Sequence, residues 1–189
     1  MKRIISVLLV STAFVISFSC CKKKTTSKSD IVVDIPYSKA KVLPAIDSPF
    51  NIISLPIEIT DSFATKVDEY LNTYAGGISK SKIKSLKPLS MNVQVDPGTA
   101  QTLNFVDDSV KIYVDKYGGT TPILVAYKKG IPNNAKSIDF DIISTDIKDL
   151  FYEPYMQVTL KFNTKAGEKI LAGANFISNF EFRIVADAN

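Results

Sequence analysis

From Ile83 onward the chain alternates. Leu89, Met91, Val93 and Val95 fall at every second position. The same period returns at Leu103–Phe105, Val110–Val114, Ile123–Tyr127, Ile138–Ile142, Met156–Phe162 and Phe176–Val185. A period of two sends successive side chains to opposite faces, so each run reads as a half-buried strand. Residues with turn chemistry separate the runs: Asp96-Pro97-Gly98, Gly118-Gly119, Pro132-Asn133-Asn134, Ala166-Gly167 and Gly173. Strands spaced in this way, with no helices between them, predict an antiparallel, immunoglobulin-like β-sandwich. No period of 20–50 residues repeats, so the chain is not read as a solenoid.

The pattern before residue 83 differs. Residues 30–50 (DIVVDIPYSKAKVLPAIDSPF) carry Pro36, Pro44 and Pro49 and read as extended chain, either tether or edge strand. In IISLPIEI, residues Ile53, Leu55, Ile57 and Ile59 share one face. Pro56 sits on the other face, which suits an edge strand. Phe63, Val67, Tyr70, Leu71 and Tyr74 then fall at helical spacing. Thr60 or Asp61 is placed to cap that helix, and Gly76-Gly77 to end it. This is the one helix expected. Asp146 to Phe151 reads as a single helical turn.

The first residues answer a different question. The chain opens MKRIISVLLVSTAFVISFSC, with Lys2 and Arg3 ahead of an apolar stretch from Ile4 to Phe18. That stretch has the length of a signal-peptide core and is short for a membrane span. The small residue Ser19 precedes Cys20 and Cys21, the chain's two cysteines. These residues resemble a bacterial lipoprotein signal peptide, in which a peptidase cuts before a cysteine that becomes lipid-modified. Ser17 stands where that family usually has Leu or another aliphatic residue. The resemblance implies lipidation at Cys20, with Cys21 as the second candidate. Two or three acyl chains, each adding about 0.8 kcal/mol per buried methylene, anchor a protein stably where one does not. Lys22, Lys23, Lys24 and Lys28, among Ser and Thr, read as a solvated tether. The division expected is a signal peptide over 1–19, a lipidated tether over 20–49 and a single domain over 50–189.

Charge and composition narrow the function. The 189 residues carry 23 Lys plus Arg against 19 Asp plus Glu. Six of those cations lie at or before Lys28, so residues 30–189 carry a net charge of −2. Nothing in this balance supports nucleic-acid binding, which would want a clustered basic face. With no cysteine after residue 21 the domain holds no disulfide, and packing must hold it together. Histidine is absent, which removes His triads, His bases and His metal sites together. No Gly-rich phosphate loop, G-x-S-x-G or EF-hand pattern occurs.

Carboxylates and tyrosines remain. Asp107-Asp108 read as a hairpin loop. Asp139 and Asp141, two apart on one strand, are the weak metal candidates: both point to one face, where Ca²⁺ would need six to eight oxygens. Asp146 and Asp149 follow, and Asp146 reads as a helix cap. A carboxylate pair could also serve glycoside hydrolysis, given a cleft holding two acids about 5–10 Å apart. Tyr113, Tyr117, Tyr127, Tyr152 and Tyr155 are candidates for glycan stacking, in a chain without Trp.

The order of segments KIKSLKPLSMNVQV, SVKIYVDK, ILVAYKKGIP and DLFYEPYMQVTLKFNTKAG also resembles uncharacterised β-sandwich lipoproteins of Bacteroidota. That resemblance implies a fold and a compartment and supplies no catalytic residue. In those relatives, acidic residues after the lipidated cysteine accompany export to the cell surface. Lys22–Lys24 in that place imply an outer-membrane anchor facing the periplasm, with the cell surface as the alternative. The function expected is a non-enzymatic, membrane-anchored envelope lipoprotein that binds a protein partner or supports envelope assembly. It needs no cofactor. The alternative is a glycan- or Ca²⁺-binding surface module.

Overall fold

The computed structural model describes residues 30–43, 45–46 and 54–188. The signal peptide, Cys20, Cys21 and the tether lysines lie outside these residues. Among the described residues nine strands form: β1 (Ile31–Val42), β2 (Pro56–Ala64), β3 (Ile83–Val95), β4 (Val106–Lys116), β5 (Ile123–Lys129), β6 (Ser137–Asp139), β7 (Asp141–Ile142), β8 (Tyr155–Thr164) and β9 (Asn175–Ala186). One helix, α1 (Val67–Tyr74), joins β2 to β3. The strands make a four-stranded sheet, β1-β9-β3-β6, and a five-stranded sheet, β2-β8-β4-β5-β7, antiparallel throughout. The architecture is the expected immunoglobulin-like antiparallel sandwich with one short helix. Its strand order is that of a double Greek key, as in a jelly roll: β1 to β4 alternate between the sheets, and β4 and β5 then share one.

The alternation fills the space between the sheets. Val110, Ile112 and Val114 of β4 and Met156, Val158, Leu160 and Phe162 of β8 point inward. They meet Phe176, Phe180, Phe182 and Ile184 of β9 and Met91, Val93 and Val95 of β3. Each such side chain stabilises the fold by about 1.5–3 kcal/mol relative to exposure. Phe182 packs edge-on against Tyr37 and Phe151, at 5.7 and 5.2 Å between ring centres. Tyr37 donates its hydroxyl to the Thr65 carbonyl. Burial pushes that hydroxyl's pKa well above its ordinary value, so Tyr37 stays neutral.

Several details depart from the expected elements. The segment read as tether or edge strand is an edge strand: β1 pairs with β9 along all twelve of its residues. The folded unit therefore reaches back beyond residue 50. Thr60 and Asp61 do not cap a helix. They lie in β2, where the Thr60 hydroxyl bonds that of Thr159 and Asp61 draws in Lys39 and Lys41. Phe63 satisfies both periods at once, two with Ile57 and Ile59 and 3.6 with Val67. Pairing with β8 over nine residues decides for the strand. The helix starts after Lys66, which sits in the left-handed region without a side-chain cap. It ends as expected at Gly76-Gly77, both at positive φ, with the Gly77 amide bonded to the Leu71 carbonyl. Leu103–Phe105 is a 3-10 turn rather than a strand, and a second such turn spans Lys148–Tyr152.

The prolines mark edges. Pro36 and Pro56 lie on β1 and β2, which end the two sheets, so a missing amide costs no central ladder bond. Pro88 is buried opposite Phe182, beside a shift in register and outside the stretch where β6 pairs with β3. Lys39 and Lys41 of β1 reach to the Ser62 and Thr60 carbonyls of β2. They cover the backbone where the two edges meet. At the opposite edge the expected strand Ile138–Ile142 is split. It pairs with β3 through Ile138 and with β5 through Ile142, turning at the buried Phe140, whose amide bonds the Met91 carbonyl.

Candidate functional site

The outer face of the five-stranded sheet is built from the polar half of the alternation. The register lines up Glu58, Lys161, Lys111, Tyr127 and Asp141 as direct neighbours across all five strands. The next row holds Thr60, Thr159, Tyr113 and Leu124. Lys111 and Lys161 therefore stand directly opposite one another, an arrangement that destabilises a sheet. Glu58 neutralises one of them, 2.9 Å from the Lys161 ammonium. That ammonium also lies over the Tyr113 ring, 5.6 Å from its centre. Among the described residues the Lys111 ammonium makes no ion pair or hydrogen bond.

Local backbone irregularity deepens this face into a groove. Between Val106 and Val110 the β4 chain carries extra residues relative to β8, whose partners there are Thr164 and Phe162. Asp107 and Asp108 bulge out at that point and are exposed. They, Glu58, Lys111, Lys161 and Tyr113 border an open groove of about 590 Å³, with Ser109 and Asn163 between them. Its rim is acidic and its floor basic. At the other end of β4, Asp115 organises the hairpin, accepting from the Lys116 and Thr121 amides at 2.8 and 2.9 Å. Gly119 passes so close that a Cβ there would lie 2.3 Å from the Asp115 Oδ1.

The outer face of the four-stranded sheet also bears a shallow hollow, about 430 Å³, but its polar groups are matched to one another. Ser38 donates to Asn179 at 2.7 Å and Ser90 to Glu181 at 3.2 Å. The Asn92 amide reaches the Ser137 hydroxyl, the Ile138 carbonyl and the Asp139 carboxylate. Arg183 grips Asp34 through two bonds of 2.7 and 2.8 Å. Those hydrogen bonds hold the Asp34 carboxyl below the usual carboxylate range, partial burial opposes them, and the guanidinium charge adds to the lowering.

Three of the residues singled out from sequence meet in the groove, Asp107, Asp108 and Tyr113. Asp139 and Asp141 do not form a pair. The turn at Phe140 puts them in different sheets, where Asp139 accepts from Asn92 at 2.8 Å and Asp141 lies 3.6 Å from Lys128. Among the described residues no three acidic or sulfur groups converge to hold a metal. Asp146 stands one residue ahead of the turn's N-cap, Ile147, accepting from the Lys148 amide at 3.1 Å and tying the turn to β3 through the Leu86 amide at 3.0 Å. Tyr113, Tyr127 and Tyr155 take outward positions on the five-stranded sheet but lie in different rows of it. Tyr113 lies in the groove, Tyr127 in the charged row, and Tyr117 and Tyr155 pair at one end of the sandwich at 6.3 Å. Lys111, Lys161 and Glu58 were not singled out from sequence. Each sits at an outward strand position, but only the register brings them together.

No family model matches the chain, and no curated protein matches it. Among solved structures, a chain of Desmodium yellow mottle tymovirus is similar at 12% identity and a TM-score of 0.30. The alignment covers 84% of this chain and 89% of that one.

Proposed function

We propose that this protein is a non-enzymatic envelope lipoprotein. It is anchored through Cys20, or through Cys21, in the outer membrane with its domain in the periplasm. The outer face of its five-stranded sheet receives a protein partner. The observation that carries the partner reading is the Lys111–Lys161 opposition. A sheet face holding two opposed cations, one of them in no ion pair among the described residues, is completed by a carboxylate from elsewhere. The exposed Asp107 and Asp108 on the rim call for cations in the same ligand. A protein segment bearing both signs of charge supplies both. A neutral glycan fits less well, because the Lys161 ammonium occupies the Tyr113 face on which a sugar would stack. Anchoring raises the effective concentration near a membrane-bound partner, so modest affinity suffices.

The test is photo-crosslinking in the producing cells, with the crosslinker at Ser109 in the groove or at Ser90 on the other sheet. The expected result is an adduct with one envelope protein from Ser109 alone, lost on Lys111→Glu. Equal adducts from both positions, or none from Ser109, would overturn the partner reading. Calorimetric heat with Ca²⁺ or envelope polysaccharide that disappears in Asp107→Asn would favour the glycan- or Ca²⁺-binding module instead. Turnover of an added substrate that depends on a groove carboxylate would overturn the non-enzymatic reading.

A further inference from the structure

Seven large apolar or aromatic side chains stand out as exposed among the described residues: Val32, Val42, Tyr74, Tyr117, Tyr127, Tyr152 and Tyr155. Five of them lie toward one end of the sandwich; Val42 and Tyr127 do not. Ile31 at the start of β1, Ile83 at the start of β3 and Ala186 at the end of β9 lie side by side. The Lys84 ammonium clamps this end, 2.6 Å from Asp30 and 2.8 Å from Asp187. In the facing sheet the same end holds Ala64 opposite Tyr155, and Lys116 opposite Met156 with Tyr117 following. The Thr65 amide there bonds the Pro154 carbonyl, and Lys148 reaches the Lys84 carbonyl. Tyr117, Tyr152 and Tyr155 thus share this end with Val32, and Tyr74 closes α1 in the connection that crosses it. Tyr117 and Tyr155 are 67% and 51% exposed, with rings in contact range of each other.

This is also the end from which the chain runs back to the anchor. Asp30 is the first described residue, and Cys20 lies ten residues before it. Ten residues reach at most about 35 Å when fully extended. With Cys20 as the anchor, the end that carries Asp30 stays within that reach of the bilayer.

We infer that this end docks onto the membrane surface, with Tyr117, Tyr152 and Tyr155 seated at the headgroup level. This inference rests on the lipid-anchor reading above. Tyrosine suits the place, since its ring is apolar and its hydroxyl stays wet. The charges at this end are of both signs, with Lys84 between Asp30 and Asp187 and with Lys148 and Asp149 in one turn. The contact is thus interfacial rather than electrostatic and survives high salt. Docked in this way, the sandwich stands on its end, and the groove face is turned sideways, clear of the lipid.

The chain contains no tryptophan, so Tyr155→Trp introduces a unique fluorophore. The full-length lipidated protein carrying it is reconstituted in phosphatidylcholine vesicles with brominated acyl chains. Flotation reports the anchor separately. Tyr117→Trp provides a second reading, and Tyr127→Trp on the sheet face the comparison. The expected result is flotation, with most emission lost to bromine at positions 155 and 117, little at 127, and no change in high salt. Flotation without quenching at 155 and 117 overturns the docking and leaves the anchor standing. Equal quenching at all three overturns the end-on orientation. Failure to float overturns both readings. Emission that ignores brominated lipid but shifts on adding envelope extract assigns the tyrosines to a protein and overturns the docking.

Discussion

The two outer faces of the sandwich are made from the same kind of sequence, the polar half of alternating strands, and they end differently. On the four-stranded sheet the polar residues satisfy one another. Ser38 meets Asn179, Asn92 meets Ser137 and Asp139, and Arg183 meets Asp34. On the five-stranded sheet Lys111 faces Lys161 and makes no ion pair among the described residues, while Asp107 and Asp108 bulge outward. The first face is stabilised by its own contacts. The second leaves interactions unmade that a ligand would complete. A local rule broken on one face and kept on the other is a reason to look for binding where it is broken.

The largest expected effect strikes both faces alike. Phe182 is fully buried between the sheets, and Phe182→Ala should cost about 3–5 kcal/mol through lost transfer energy and a residual cavity. Chemical denaturation read by probes on each face should then show coincident transitions. Separate transitions would mean that the faces differ in rigidity as well as in chemistry. Next, Asn92→Ala removes a donor shared by three acceptors on the matched face and should cost about 1–2 kcal/mol in the same measurement.

On the other face the sign should reverse. Lys111→Met keeps most of the stem and removes one of two opposed cations, so it should raise stability by about 0.2–1 kcal/mol. It should also abolish the groove crosslink. Stability gained together with binding lost would sharpen the comparison, and a loss of both would break it.

The smallest effect is in pH dependence. The Asp34 carboxyl is held below its ordinary value of 3.8, so it contributes stability above that value and loses it as pH falls through its lowered folded-state pKa. The difference in unfolding midpoint between the natural chain and Asp34→Asn should hold from neutral pH down to about 4 and shrink below that. A difference that does not change between pH 7 and pH 2 would show that the Arg183 contact is not electrostatic.

Much of the fold was legible because a period of two survives in a single chain. Each run from Val110 to Val185 that alternates in sequence supplies inward residues in the structure. The lateral order of strands was not legible, since Glu58, Lys111 and Lys161 become neighbours only through long-range pairing. Two local features misled for physical reasons. Phe63 fits a strand and a helix equally well, and pairing with β8 resolves it. The run from Ile138 to Ile142 alternates without a break, yet the chain changes sheets at Phe140 with no Gly or Pro to announce it. That turn separates Asp139 from Asp141 and dissolves the one acidic pair that looked like a metal site. Asp107 and Asp108 were visible as adjacent acids. Their position on the groove rim depended on a bulge that no residue type marks.

The central claim is that the five-stranded face stores a repulsion. A double-mutant cycle with Lys111→Met and Lys161→Met, read as unfolding free energy in the full-length chain at low and high salt, tests it most directly. Contacts that Lys161 makes to Glu58 and Tyr113 cancel in the cycle and leave the coupling between the two lysines. The account predicts an unfavourable coupling that salt weakens. A coupling of zero, or a favourable one, would mean that the opposed lysines are ordinary surface residues, and the groove would lose its claim to a partner.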